Sequence, residues 1–258
     1  MSITVIKIGG STLGRHDTSL DDIAALHAEG RRFVIVHGGG ATIGEWQARQ
    51  GVEPRFHRGL RATDAPTLEI VVAVLAGLVN KRLVSELQAR SARALGLSGA
   101  DAAILRARRY DPELGYVGEV AGVDAAALRS IAEGGAIVVF APIAVEVEGE
   151  VVKAQLLNVN ADTAAGEIAA ALPAEQLVFL TDVAGVLDES GGLRERLSAD
   201  EARDLLQGDS VSGGMIPKLE AALRANEAGV PTVIADGREK GALRSILSAG
   251  ASIGTRIG

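Results

Sequence analysis

The chain has no cysteine. That excludes a disulfide scaffold, a Cys-ligated zinc site and a thiol nucleophile, and it fits a reducing compartment. Aromatic residues make up only 3%, and 33 acidic residues outnumber 26 basic ones for a net charge of −7. A nucleic-acid binder needs a basic footprint and stacking platforms. Neither is here, so no nucleic-acid partner is expected. Long hydrophobic runs are also missing. The uncharged stretch Ile70–Val79 is about half of the ~20 residues a membrane span requires, so no membrane association is expected. The start, Met1 to Gly10, places Lys7 inside a short apolar run followed by glycines. A signal peptide would put its charge first and a longer apolar region after it. A soluble cytoplasmic protein is the expectation. The 258 residues suffice for one large domain or two lobes, with roughly 70–75% of the unfolded chain's surface buried on folding.

What is present is an alternation. Thr4-Val5-Ile6-Lys7-Ile8 runs into Gly9-Gly10, and Phe33-Val34-Ile35-Val36 into His37-Gly38-Gly39-Gly40. Ala136 to Phe140, Leu177 to Leu180 and Thr232 to Ile234 end in the same abrupt way. Such near-continuous apolar runs read as strands covered on both faces. Between them lie helical patterns at Ser19–Gly30, Ala125–Glu133, Thr163–Leu172, Ala199–Leu206, Lys218–Glu227 and Lys240–Ser248. A longer one spans Asp64–Arg90, with Asp64 as its cap and Pro66 in its first turn. Its apolar residues cover most sides, which means deep burial or an interface partner. Alternating strands and helices predict an α/β, three-layer αβα sandwich on a central, mainly parallel sheet. Ligands then bind beyond the carboxyl ends of the strands, where the glycines and aspartates fall. A lobe boundary is expected near Pro173.

Several residues are unusual for their places. Two glycine clusters at equivalent strand ends let an anion approach backbone N–H groups without a Cβ in the way. Neither has Walker or G-x-G-x-x-G spacing. Lys7 interrupts a strand that should be buried, where an ammonium is costly unless paired with an anion, or else it snorkels to solvent from the strand end. Ser212-Gly213-Gly214-Met215-Ile216-Pro217-Lys218 places another cation in the first turn of a helix, against the helix dipole, which suits either a nearby anion or an ordinary surface lysine. Asn158, Asn160 and Asp162 come at i, i+2 and i+4, on one side of an extended chain. A calcium loop is excluded, because its sixth and twelfth positions would be Thr163 and Ala169. Asp162 also reads as a helix cap. Arg61, at a loop-to-helix junction, suits either a ligand carboxylate or a protein salt bridge. The histidines form no metal or Ser-His-Asp pattern.

Lys7-Ile8-Gly9-Gly10-Ser11, His37 to Gly40, Gly59 to Asp64, Asn158 to Asp162, Thr181 to Leu187 and Ser212 to Lys218 occur in that order. Together they resemble the acetylglutamate kinases, a branch of the amino acid kinase family. The resemblance implies an eight-stranded, mainly parallel sheet and transfer of the ATP γ-phosphoryl group, with Mg²⁺, to the side-chain carboxylate of N-acetyl-L-glutamate in arginine biosynthesis. Lys7 and Lys218 match the transition-state stabilisers, and Asp162 the acid that orients them. Gly39, Gly40, Arg61 and Asn158 match the acyl-amino-acid site. Gly9 and Gly10, Asp182, Val183, Ala184, Gly185, Val186 and Leu187, with Ser210, Val211 and Ser212, match the nucleotide site. Residues 1–173 would bind the acyl-amino acid and dimerise, and 174–258 would bind ATP. No protein ligand for the metal is expected, since ATP and water hold it. Ala41-Thr42, Ala100, Ala144 and Leu157 depart from the family pattern. Arginine-inhibited members carry a helix ahead of the first strand. That strand begins here by Ile3 or Thr4, so an arginine-insensitive homodimer through Asp64–Arg90 is expected. A kinase for 2-aminoadipate or glutamate on a carrier protein looks similar around Arg61 and Asn80-Lys81. A non-catalytic amino-acid sensor is the alternative of another class.

Overall fold

The structure is a computed structural model that describes residues 2–9, 18–57, 59–172, 174–188, 190–208, 211–248 and 253–258. Gly10, Ser210 and the expected boundary at Pro173 lie outside the described residues. The chain begins with β1 (Ile3–Ile8), α1 (Ser19–Ala28), β2 (Arg32–His37) and α2 (Gly40–Arg49). A short hairpin, β3 (Phe56–His57) and β4 (Leu60–Arg61), leads into α3 (Ala65–Val72). A π-helical segment, Ala73–Val79, joins α3 to α4 (Asn80–Ala89). Next come β5 (Ala94–Ser98), β6 (Leu105–Arg109), β7 (Val117–Val123), α5 (Ala125–Glu133), β8 (Ile137–Ala141), β9 (Ile143–Glu148) and β10 (Val151–Val159). The rest is α6 (Ala161–Ala171), β11 (Gln176–Thr181), β12 (Arg196–Leu197), α7 (Ala199–Gln207), α8 (Met215–Glu227), β13 (Thr232–Asp236), α9 (Ala242–Leu247) and β14 (Thr255–Ile257).

Eight strands form one sheet in the order β12-β14-β13-β11-β1-β2-β8-β5. Every pairing in it is parallel except β13 with β14. The pleat sends successive side chains to opposite faces. Ile3, Val5, Val34, Val36 and Phe179 meet α5, α6 and α8 on one side. Ile6, Ile8, Phe33, Ile35 and Val178 meet α1, α3, α4 and α9 on the other. Lys7 follows Val5 in this alternation, so it faces the α6 and α8 layer. The three-layer expectation holds.

A second sheet was not legible in the apolar runs. Strands β10, β7, β6 and β9 close a small four-stranded barrel. Its strands carry charge at exposed positions, as in Leu105-Arg106-Ala107-Arg108-Arg109, where only Leu105 and Ala107 are buried. Within the chain the long helix buries most of both apolar stripes, including Leu68, Val71, Leu75, Val79, Ile70 and Val74, while Val72 and Leu78 stay half-buried. Asp64 caps it as expected, accepting from the Thr67 N–H at 3.0 Å. No helix among the described residues is long and apolar enough to cross a membrane.

Candidate active site

The glycine clusters sit at the carboxyl ends of adjacent parallel strands. Gly9 N–H donates to Leu180 O at 3.1 Å, and Gly38 N–H donates to Ile8 O at 3.1 Å. Thr181-Asp182 and Asp236-Gly237 end the neighbouring strands β11 and β13. Gly39 precedes α2, so the first turn of that helix points its N–H groups at the same strand ends.

Asp162 is not a helix cap. The cap of α6 is Asn160, whose Oδ1 accepts from the N–H groups of Asp162 at 2.8 Å and Thr163 at 3.2 Å. The chain turns helical at Ala161, so Asn158, Asn160 and Asp162 do not line one side of an extended segment. Instead Asp162 is free to point its carboxylate away from the helix. Lys7 Nζ lies 2.7 Å from Asp162 Oδ1, a close ion pair whose angle falls outside hydrogen-bond alignment. Lys218 Nζ donates to Asp162 Oδ2 at 3.2 Å and to Gly214 O at 3.0 Å. The side chains of Lys7, Asp162 and Lys218 are 9%, 8% and 12% exposed. Among the described residues no second carboxylate pairs with either lysine. Two ammonium groups on one carboxylate leave a surplus of positive charge in a poorly hydrated place. Such a surplus is costly until an anion arrives.

Lys218 reaches this point because α6 and α8 pack through small residues. A Cβ on Gly166 would stand 2.7 Å from Ala221 O and 2.8 Å from Ala221 Cβ. Helix α8 begins at Met215, earlier than the apolar pattern indicated, because Pro217 fits a first helical turn.

Arg61 forms no salt bridge among the described residues. Its guanidinium donates to Gln47 Oε1, donates to Gly40 O at 3.1 Å and stacks 4.7 Å above the Phe56 ring. Burial lowers its pKa from the ordinary value. Its charge is therefore held beside the glycine loop by neutral groups. Thr63 ties Arg61 to Asn158, donating to Arg61 O at 2.8 Å and accepting from Asn158 Nδ2 at 3.1 Å. Gln47 and Thr63 were not singled out from the sequence as site residues. Only their burial and partners reveal them. Beside the N-termini of α6 and α8 opens a cavity of about 940 Å³, lined by Asn160, Thr163, Gly213 and Pro217 and by His57 and Tyr110 opposite. The lysine pair itself is not among the residues that line it.

The nucleotide candidates divide by exposure. Val183 and Leu187 are exposed apolar side chains, whereas Val186 is in the core with its N–H donating to Thr255 Oγ1 at 2.8 Å. Gly185 has φ +152°, and a Cβ there would meet Thr255 Oγ1. Arg238 donates to Asp182 O at 2.7 Å and pairs with Asp236. That partner's hydrogen bonds lower the Asp236 pKa. Val211 and Ser212 lead into the Gly213-Gly214 loop before α8, and Gly213 has φ +58°.

Two lysines and glycine N–H groups at strand ends, with the Asp162 carboxylate tied up between the lysines, suit phosphoryl transfer to an acceptor that needs no deprotonation. The fold and site thus define a small-molecule phosphotransferase. The family comparison agrees: the pattern of the amino acid kinase family matches residues 2–236. The chain belongs to the amino acid kinase family, and it is an ATP-dependent kinase. It is 44% identical over 237 residues to an acetylglutamate kinase of Dehalococcoides mccartyi, covering 92% of this chain and 87% of that one. It is 46% identical over 235 residues to an acetylglutamate kinase of Methanopyrus kandleri, covering 87% and 91%. A crystal structure of N-acetylglutamate synthase from Neisseria gonorrhoeae, complexed with coenzyme A and N-acetyl-glutamate, superposes with a TM-score of 0.85 at 31% identity. The match covers all of this chain and 59% of that one.

Proposed function

We propose that the chain transfers the γ-phosphoryl group of Mg·ATP to the side-chain carboxylate of N-acetyl-L-glutamate. The product is N-acetyl-L-glutamyl 5-phosphate, an intermediate of arginine biosynthesis. The observation that carries this reading is the buried pair Lys7 and Lys218 on the single carboxylate of Asp162. A carboxylate oxygen of the acceptor attacks the γ-phosphorus in line, the bond to the β,γ-bridging oxygen breaks, and ADP leaves with that electron pair. Negative charge shifts onto the bridging and equatorial oxygens, where two ammonium groups stabilise it more in the transition state than in the ground state. Asp162 sets their spacing. Both of its oxygens are committed to lysines, so Mg²⁺ arriving with ATP is left to phosphate oxygens and water.

Arg61 and Asn158, tied through Thr63, take the α-carboxylate and the acyl-amino group, and the Gly39-Gly40 N–H groups take the reacting end. Gly9, Gly10 and the Asp182–Leu187 loop, with Ser210, Val211 and Ser212, hold the nucleotide, and exposed Val183 and Leu187 offer the flat base an apolar face. Residues 1–173 then serve the acceptor and 174–258 the nucleotide. The half-buried Val72, Ala76 and Leu78 with exposed Ala73 and Gly77 give the Asp64–Arg90 helix a small-residue face for a homodimer in the cytoplasm. Purified protein should consume ATP only with N-acetyl-L-glutamate, and hydroxylamine should trap the acyl phosphate. Turnover that needs a carrier-bound acceptor, or none with any acceptor, would overturn this reading.

A further inference from the structure

A loop of three glycines has no side chains with which to fix itself, yet the Gly38–Gly40 backbone must be held to present its N–H groups. The structure holds it from beneath. His37, the last residue of β2, is fully buried. Its Nε2 lies 3.2 Å from Asn80 Nδ2, and its Nδ1 lies 3.0 Å from Gly38 O. The Asn80 amide is oriented by its surroundings. Its nitrogen faces the carbonyls of Val139 at 2.9 Å and Leu97 at 3.2 Å, and its oxygen accepts from Lys81 Nζ at 2.9 Å. The two N–H groups of the amide are shared among these two carbonyls and Nε2, and a proton on Nε2 would face them. The favoured tautomer therefore carries its proton on Nδ1, which donates to Gly38 O.

Asn80 opens α4 directly after the π-helical segment Ala73–Val79. That segment also presses on the loop. A Cβ on Gly39 would stand 2.6 Å from Leu75 Cδ2 and 3.4 Å from Val79 Cγ2. In an α-helix, residues five apart point about 140° away from each other. An i→i+5 winding brings them round towards the same side. The π segment thus aims Leu75 and Asn80 together at one loop, Leu75 at Gly39 and Asn80 at Gly38 through His37.

We infer that Asn80 and His37 are positioning residues that set the Gly38–Gly40 backbone for the acceptor carboxylate. The inference rests on the assignment of Gly39 and Gly40 to the acyl-amino-acid end of the site. It is tested with Asn80→Ala, Asn80→Asp, His37→Asn and His37→Gln. An asparagine at 37 keeps a donor near Gly38 O and loses Asn80, while a glutamine does the reverse. Hydrogen–deuterium exchange should rise across residues 38–43 in Asn80→Ala and His37→Gln, with the Thr181–Gly185 segment unchanged. KM for N-acetyl-L-glutamate should rise about tenfold, as sub-ångström misplacement of a binding group can do, while KM for ATP stays within about twofold. His37→Asn should recover part of the loss. Should Asn80→Ala not fold, Asn80→Asp and the His37 pair give the same comparison. Equal changes in both KM values, or exchange in residues 38–43 like that of the parent, would overturn the inference. The exchange result stands by itself if the parent enzyme uses a different acceptor, so that outcome would sink only the substrate assignment.

Discussion

At Asp162 one carboxylate faces two ammonium groups, and most of the proposed chemistry follows from that imbalance. Lys7→Ala or Lys218→Ala should lower kcat at least ~10²-fold, about 2.7–4 kcal/mol by analogy with loss of an oxyanion donor. Steady-state kinetics decide it, and near-normal turnover in either variant would refute the roles given to them. His37 supplies a stability prediction. Burial pushes it down to about 4, against its bond to Gly38 and with an added push from Lys81. Below pH 6.5 the unfolded chain therefore binds a proton that the folded chain refuses. Stability should fall as pH drops from 6.5 to about 4 and level off below, with a His37 share of ~3 kcal/mol. Denaturant unfolding at pH 7 and pH 4.5 should show a smaller loss in His37→Asn than in the parent. Equal losses would mean that His37 titrates normally. Two departures from the family pattern also meet at this scale. Ala144 and Leu157 are cross-strand neighbours between β9 and β10, and both are fully buried. They change packing volume at one shared spot of the barrel core.

Helices α6 and α8 decide whether the residues of the site meet at all. Gly166 lies one helical turn after Asp162, on the side that touches Ala221 of α8. Gly166→Ala should force the helices apart, costing ~1–3 kcal/mol by overpacking and lowering kcat as Lys218 is drawn from Asp162. Gly44 in α2 has open space where a Cβ would go, so Gly44→Ala should add ~0.5–1 kcal/mol through helix propensity. Thermal unfolding of the pair reads opposite signs. Shifts of the same sign would mean that close approach at Gly166 is not limiting. At this scale the apolar runs located five of the eight sheet strands, β1, β2, β8, β11 and β13, to within one or two residues, because both faces of those strands are covered; the short or partly exposed β5, β12 and β14 were not found that way. The barrel strands escaped because charged, polar or exposed residues interrupt them, such as Arg106, Arg108 and Arg109 in β6, Glu119 in β7, Glu146 in β9 and Lys153 in β10. The π-helical segment left no trace in the sequence, since its hydrogen-bond shift is set by what the helix packs against.

Over the whole molecule, the site gathers residues from β1, β2, β4, β10, α6 and α8, so a ligand there joins parts far apart in the chain. A nonhydrolysable ATP analogue and N-acetyl-L-glutamate, each at 100 times its Kd, should each stabilise by about 2.7 kcal/mol. That corresponds to roughly 5–10 °C in Tm. An unchanged Tm with both ligands would contradict a site of this construction. Light scattering should give twice the chain mass.

The sequence by itself determined the alternation of elements, the glycine loops at strand ends and the two lysines, because these depend on local periodicity and residue type. Read residue by residue, it left Lys7 and Lys218 as two isolated charges and offered Asp162 as a cap; only the family resemblance linked the three. Only the tertiary structure decided that Asn160 is the cap and that the Asp162 carboxylate stands between both ammonium groups. The physical reason is distance along the chain. No local pattern reports which face of β1 meets α6, or that Gly166 lets α8 close enough to deliver Lys218. The same holds for Gln47, Thr63 and Asn80, polar residues whose roles come entirely from what surrounds them once buried.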